Sequence, residues 1–247
     1  MIKIITIITK FIVAALMALL FSSCVHSSMN FSNGIKGSGN ITTQTRSANQ
    51  DFKSIEVSQG IKVNVEQSNA KSITVEADDN IIEHIVTKIE NGVLKIESDE
   101  SYNSTQTPIV NVKMPIVNGL SASSGSEINS SRTLISNNIN AKSSSGSRIN
   151  IEVEADAITL ESSSGSTIEA SGKALKLETT SSSGSSIEAK NLQSNEVIAQ
   201  TTSGSSASVY PILKLEAKAS SGGSVDYYKE PKTLSKEESS GGSINKN

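Results

Sequence analysis

The chain has 247 residues, 22 basic against 25 acidic for a net charge of −3, and aromatic residues make up only 3% of it. That balance excludes the basic stripe a nucleic-acid partner requires, and the scarcity of large side chains excludes a broad globular core. Ser, Asn, Thr and Gly are abundant, which suits a thin core.

The first residues read as a targeting segment, not as part of the fold. Lys3 and Lys10 flank an apolar start, and the run "FIVAALMALLF" (11–21) is too short for a permanent membrane span of ~20 residues. "SSC" follows, with Cys24 the only cysteine of the chain. A small pair before a single Cys after an apolar core resembles a bacterial lipobox. The resemblance implies a signal peptide over 1–23, acyl chains on Cys24 and a tether over 24–33. One acyl chain binds a membrane only marginally, so a stable anchor takes more than one. A lone Cys forms no internal disulfide, so the mature domain must be stable without one.

Residues 34–120 form a front half that reads as strands. "FKSIEVSQGIKVNVEQ" (52–67) and "KSITVEAD" (71–78) alternate apolar and polar residues, the mark of a strand with one buried face. "ADDNIIEHIV" (77–86) includes a helical turn. "VTKIENGVLKIES" (86–98) sets Asn91-Gly92 between two alternating runs, a type I′ hairpin signal. Pro108 and Pro115 bracket a further strand, "IVNVKM". Such a hairpin serves as a cap, because the first coil of a solenoid otherwise offers an unpaired edge.

Residues 121–247 are a repeat. Gly-Ser or Gly-Gly steps recur in "SSGSEIN" (123–129), "SSGSRIN" (144–150), "SSGSTIE" (163–169), "SSGSSIE" (182–188) and three weaker copies after them. The apolar residue after each step forms a column: Ile128, Ile149, Ile168, Ile187, Ala207, Val225, Ile244. An upstream column runs Ile139, Ile158, Leu177, Val197, Leu215, Leu234 with the same spacing. Two columns sharing one period of about 19–20 residues indicate a solenoid. Period-two patterning, as in Leu175-Lys-Leu177-Glu-Thr179, makes the repeating unit a strand and not a helix. The expected fold is all-β: a right-handed parallel β-helix with an N-terminal strand and hairpin cap.

"GIKGSGNI" (34–41), "FKSIEVSQGIKVNVEQ", "VEADDNIIEHIVTKIENGVLKIES" and the run of Ser-Gly steps together resemble the family described as putative auto-transporter adhesin, head GIN domain. The resemblance covers roughly residues 34–247. It implies β-helical proteins common in Bacteroidetes, secreted or lipid-anchored, and it supplies no catalytic residues to carry across. It also implies a cell-envelope lipoprotein at the outer membrane that displays a polar repetitive surface to a glycan or protein ligand. The alternative is a periplasmic structural or scaffolding protein. In that bacterial group surface export resembles an acidic stretch after the lipid cysteine, whereas "VHSSMNFSNG" follows Cys24 without an acid. The periplasmic and surface faces therefore both stay open.

Catalytic chemistry finds few residues. A nucleophilic triad or a zinc site would rest on His84, since the only other histidine is His26 beside the lipid cysteine. "EVEAD" (152–156) reads as a solvated acidic loop. A polysaccharide-active enzyme on the same fold would need long loops, which a near-constant repeat leaves no room for. No cofactor is implied. Inward Ile168 and Ile187 turn the residues after them outward, giving the column Asn129, Asn150, Glu169, Glu188, Ser208, Asp226, Asn245. Glu169 and Glu188 then oppose each other on adjacent strands, a destabilising like-charge pair. Lys190 is one candidate to relieve it, and Ca²⁺ binding in the millimolar range is the other.

Overall fold

A computed structural model describes residues 34–247 of the chain. Cys24, the signal peptide and the tether lie outside the described residues. The rest is a stack of parallel coils, a β-solenoid of about seven turns. The only helical element among the described residues is a single 3-10 turn, Ile82–His84, where the sequence places a helical turn.

Both sequence columns are real stacks. Ile128, Ile149, Ile168 and Ile187 are in register on consecutive coils and fully buried. Ile139, Ile158, Leu177, Val197, Leu215 and Leu234 are paired in the same way. Each such side chain contributes about 1.5–3 kcal/mol by leaving water, and coils ~4.8 Å apart keep each Ile in contact with the next. Leu175 departs from the expected alternation. It is 56% exposed while Leu177 is buried, because the chain turns at this point and residues 175 and 176 both face outward.

The Ser-Gly steps are corners. In each, a serine and the following glycine both take positive φ, as at Ser164 (53°) and Gly165 (69°). This left-handed pair suits glycine and costs the serine about 1 kcal/mol. A ladder of backbone hydrogen bonds runs along the corner. The N–H of Gly125, Gly146, Gly165, Gly184 and Gly204 each donates to the carbonyl of the positive-φ serine one coil on, at 3.1 Å. A second ladder runs the other way. The buried hydroxyls of Ser147, Ser166, Ser185 and Ser205 donate to carbonyls of the preceding coil at 2.7–2.8 Å. Gly223 and Gly242 take the place of these serines in the last two corners. A Cβ at Gly242 would lie 2.2 Å from the Ala219 carbonyl oxygen, so no serine fits there.

Parallel stacking begins well before residue 121. Ser54–Val57 pairs with Gly119–Ala122, and Lys62–Gln67 pairs with Glu127–Ser130. Between the two front strands, Gln59 and Gly60 form the same positive-φ corner, and the Gly60 N–H donates to Ser124. One coil lower, Val93–Ser98 and Ile109–Met114 pair in parallel with those strands.

The two ends are closed differently. At the N-terminal end, Ser72–Asp78 lies antiparallel between Ile41–Arg46 and Ile109–Met114. Ile85–Glu90 forms the expected hairpin with Val93–Ser98, with Asn91 and Gly92 both at positive φ. The Tyr102 hydroxyl donates to the Gln59 carbonyl, the place a further corner glycine would fill, and burial pushes its pKa up to about 12. Asp78, fully buried, accepts from the Thr105 hydroxyl and from the backbone N–H of Gly39 and Thr105, which holds its carboxyl below the ordinary range. At the C-terminal end, Lys236 and Glu238 occupy the positions that Ala217 and Ala219 fill one coil earlier. Lys236 donates to the Ile244 carbonyl and lies over the Tyr227 ring, while Glu238 accepts from the Ile244 N–H. Charge thus covers the last layer and discourages edge pairing.

Candidate functional site

The outward column is built in the order expected: Asn129, Asn150, Glu169, Glu188, Ser208, Asp226 and Asn245 stand on successive coils. It continues below through Asn64 and Asn111, whose side-chain amides are hydrogen-bonded at 2.9 Å.

Glu169 and Glu188 are indeed strand neighbours. The group that relieves them is Arg148, not Lys190. The Arg148 guanidinium donates to the Glu169 carboxylate at 2.7 Å, and Glu188 accepts from the Ser186 hydroxyl at 3.0 Å. Lys190 turns instead toward the exposed ring of Tyr228, 5.9 Å from its centroid. It does so because the strand register slips between Glu169 and Ser171, so that Lys190 is the bulged residue of its coil. Asn150, both glutamates, Lys190 and Asn191 line a polar recess of about 350 Å³. Among the described residues no three His, Cys, Asp or Glu side chains group as a metal cluster would. A cation here would have to compete with Arg148 for Glu169.

His84 pairs with Asp99 through Nδ1 at 2.9 Å, on the surface of the cap. Among the described residues no hydroxyl is hydrogen-bonded to its other ring nitrogen, so the pair lacks the nucleophile of a triad.

A feature that period-two reading missed lies on another edge. A groove of about 540 Å³ runs along the corner where the chain passes residues 135–137, 154–156, 173–175 and 193–195. Its floor is small: Ser136, Ala155 and Ala174. Ile135 and Leu175, 65% and 56% exposed, stand on its walls, and "EVEAD", read from sequence as a loop, supplies Glu154 and Asp156 from within a strand. Strand pairing skips Asn137, Asp156, Leu175 and Asn195, one residue in each coil. The available signal was the outward leucine beside a lysine, at a place where strict alternation would bury it.

The family described as putative auto-transporter adhesin, head GIN domain, matches residues 51–231. Among curated proteins none matches. Several solved structures share the fold. A protein described as a putative adhesin from Bacteroides fragilis is 19% identical, with 87% of this chain and 100% of that one covered and a TM-score of 0.80. One described as a putative lipid binding protein from Parabacteroides distasonis is 22% identical over 86% and 99% of the two chains, at a TM-score of 0.70. A putative adhesin from Parabacteroides merdae is 20% identical over 86% and 98%, also at 0.70.

Proposed function

Because the chain belongs to the family described as putative auto-transporter adhesin, head GIN domain, we propose that it is a non-catalytic binding protein of the cell envelope. In this reading acyl chains on Cys24 hold it at the outer membrane, and the solenoid presents repeated polar faces to a glycan or protein ligand. The observation that supports it best is the polar column in register from Asn111 to Asn245, interrupted at the surface only by the buried Ser208; its polar side chains recur at a fixed coil spacing. Such a surface offers many weak equivalent contacts, which suits avidity more than turnover. Purified chain should adhere to fixed cells or immobilised matrix, and a chain that binds none of them sinks the adhesin reading. Cys24→Ala should move the protein from the membrane fraction to the soluble one; retention after a high-salt wash rules out the lipid anchor.

The acid-free "VHSSMNFSNG" after Cys24 supports a second reading, a scaffold facing the periplasm. Protease shaving of intact cells separates the two, since only a surface-exposed solenoid is degraded.

A further inference from the structure

Among the described residues five large apolar side chains are notably exposed: Ile116, Ile135, Leu175, Leu213 and Tyr228. Four are aliphatic, and these gather along one edge of the solenoid. Ile135 and Leu175 line the groove of about 540 Å³, Leu213 follows the lining residue Ile212, and Ile116 borders an adjoining recess that shares Ile135. Apolar residues concentrated in a concave site of this size are the usual mark of a ligand surface.

The two walls differ. Ile135, Glu154, Lys173 and Gln193 are in register on one, and Asn137, Asp156, Leu175 and Asn195 follow one another on the other, with Ile212 next in line. On that second wall Leu175 and Ile212 stand two coils apart, about 9.6 Å at ~4.8 Å per coil, and Ile135 faces them from across the floor. A polyproline II helix repeats every three residues, about 9.3 Å per turn. An extended β-strand presents one face every ~6.7 Å and falls out of step after one contact. An α-helix, ~10–12 Å across, is too wide for a cleft whose walls are side chains two residues apart in sequence, ~6.6 Å.

Charge narrows the occupant further. Glu154 and Asp156 flank the floor at Ala155 and face only Lys173 among the lining charges. None of the three makes an ion pair among the described residues. No lining side chain is aromatic, so the platform on which a sugar ring stacks is missing, and the lining combines aliphatic contacts with polar and acidic groups.

We propose that this groove docks an extended polypeptide segment in polyproline II conformation, with an aliphatic residue at every third position and basic residues between. The proposal deepens the binding reading above, and rests on it, by naming a site and a class of partner. Leucine-type side chains of the segment meet Ile135, Leu175 and Ile212, and its basic groups meet Glu154 and Asp156. The small floor admits the backbone of the segment.

The test is fluorescence anisotropy of a labelled peptide of four Leu-Lys-Pro triplets against the full chain in detergent. Binding is expected, and Ile135→Ser/Leu175→Ser should weaken it at least tenfold. Both side chains are exposed, so this variant should melt like the wild type. Glu154→Gln/Asp156→Asn should weaken binding at low salt and lose that difference at high salt, where exposed charges are screened. No binding, equal binding by the Ile135→Ser/Leu175→Ser variant, or equal binding of Ser-Lys-Pro triplets overturns the proposal. A β-linked oligosaccharide that binds in place of the peptide, with the same variant sensitivity, also overturns it and makes the groove a glycan site. Failure here leaves wild-type adherence to cells or matrix standing. Conversely, loss of that adherence leaves the anisotropy result standing.

Discussion

The Ser-Gly corner and the groove corner belong to the same coils, yet they are built on opposite terms. At the first, each repeat spells nearly the same residues, and the backbone explains why: two successive positive φ values, a glycine N–H that reaches the next coil, a serine hydroxyl that reaches the previous one. At the second, pairing skips a residue in every coil, the register slips between Ser194 and Glu196, and the wall residues change from Asn137 to Asp156 to Leu175 to Asn195. Where the stack constrains the backbone, sequence repeats. Where it leaves a residue unpaired, sequence is free to vary, and variation is what a specific binding surface needs. The repeated column thus offers uniform weak contacts, and the varied corner is where selectivity for one partner can arise.

The largest expected effect tests the core that both corners enclose. Ile168→Asp puts an unpaired carboxylate between Ile149 and Ile187 and should cost about 3–5 kcal/mol. Thr167→Asp, one residue away on the outward side, should cost under ~1 kcal/mol. Chemical denaturation of both variants checks this, and similar losses would undo the inward and outward assignment.

A smaller contrast separates the corners themselves. Ser166→Ala removes a buried hydroxyl that donates to the Ser143 carbonyl and accepts from the Ser163 N–H. The Ser163 N–H and the Ser143 carbonyl keep each other as partners at 3.0 Å, so the loss is that of the hydroxyl's own hydrogen bonds, about 0.5–1.5 kcal/mol. Asn195→Ala, at the groove corner, should stay within ~0.5 kcal/mol. If the two variants melt alike, the corners do not differ in the way described.

Legibility followed the same division. The columns, the hairpin at Asn91-Gly92 and the strand "IVNVKM" were readable because alternation and turn chemistry are local, and each local preference agrees with the stack. The front-half corner "SQGI" does not show itself as part of the repeat: Gln59 and Ile61 stand where the later coils have serines, although Gly60 marks the same turn. Leu175 escapes alternation for a related reason. Period-two counting assumes an uninterrupted strand, and the chain turns between Ala174 and Leu177. The partner of Glu169 was hidden too. Arg148 lies one coil back and two positions along, a diagonal that no in-register column contains.

That diagonal yields the smallest expected effect and the sharpest test of the glutamate pair. In the wild type the Arg148–Glu169 pair is half-exposed, so losing it should cost under ~1 kcal/mol, and less in high salt. Its absence, however, leaves Glu169 and Glu188 as opposed like charges, with Asn150 on the next coil. Hard cations favour such oxygen sets, with affinities in the millimolar range for extracellular modules. Arg148→Ala should therefore gain a calcium-dependent rise in Tm at millimolar Ca²⁺ that the wild type lacks or shows more weakly. Adding Glu188→Gln to that variant should abolish the gain. A wild-type melt raised as much as that of Arg148→Ala would mean that the guanidinium does not hold the site against a cation.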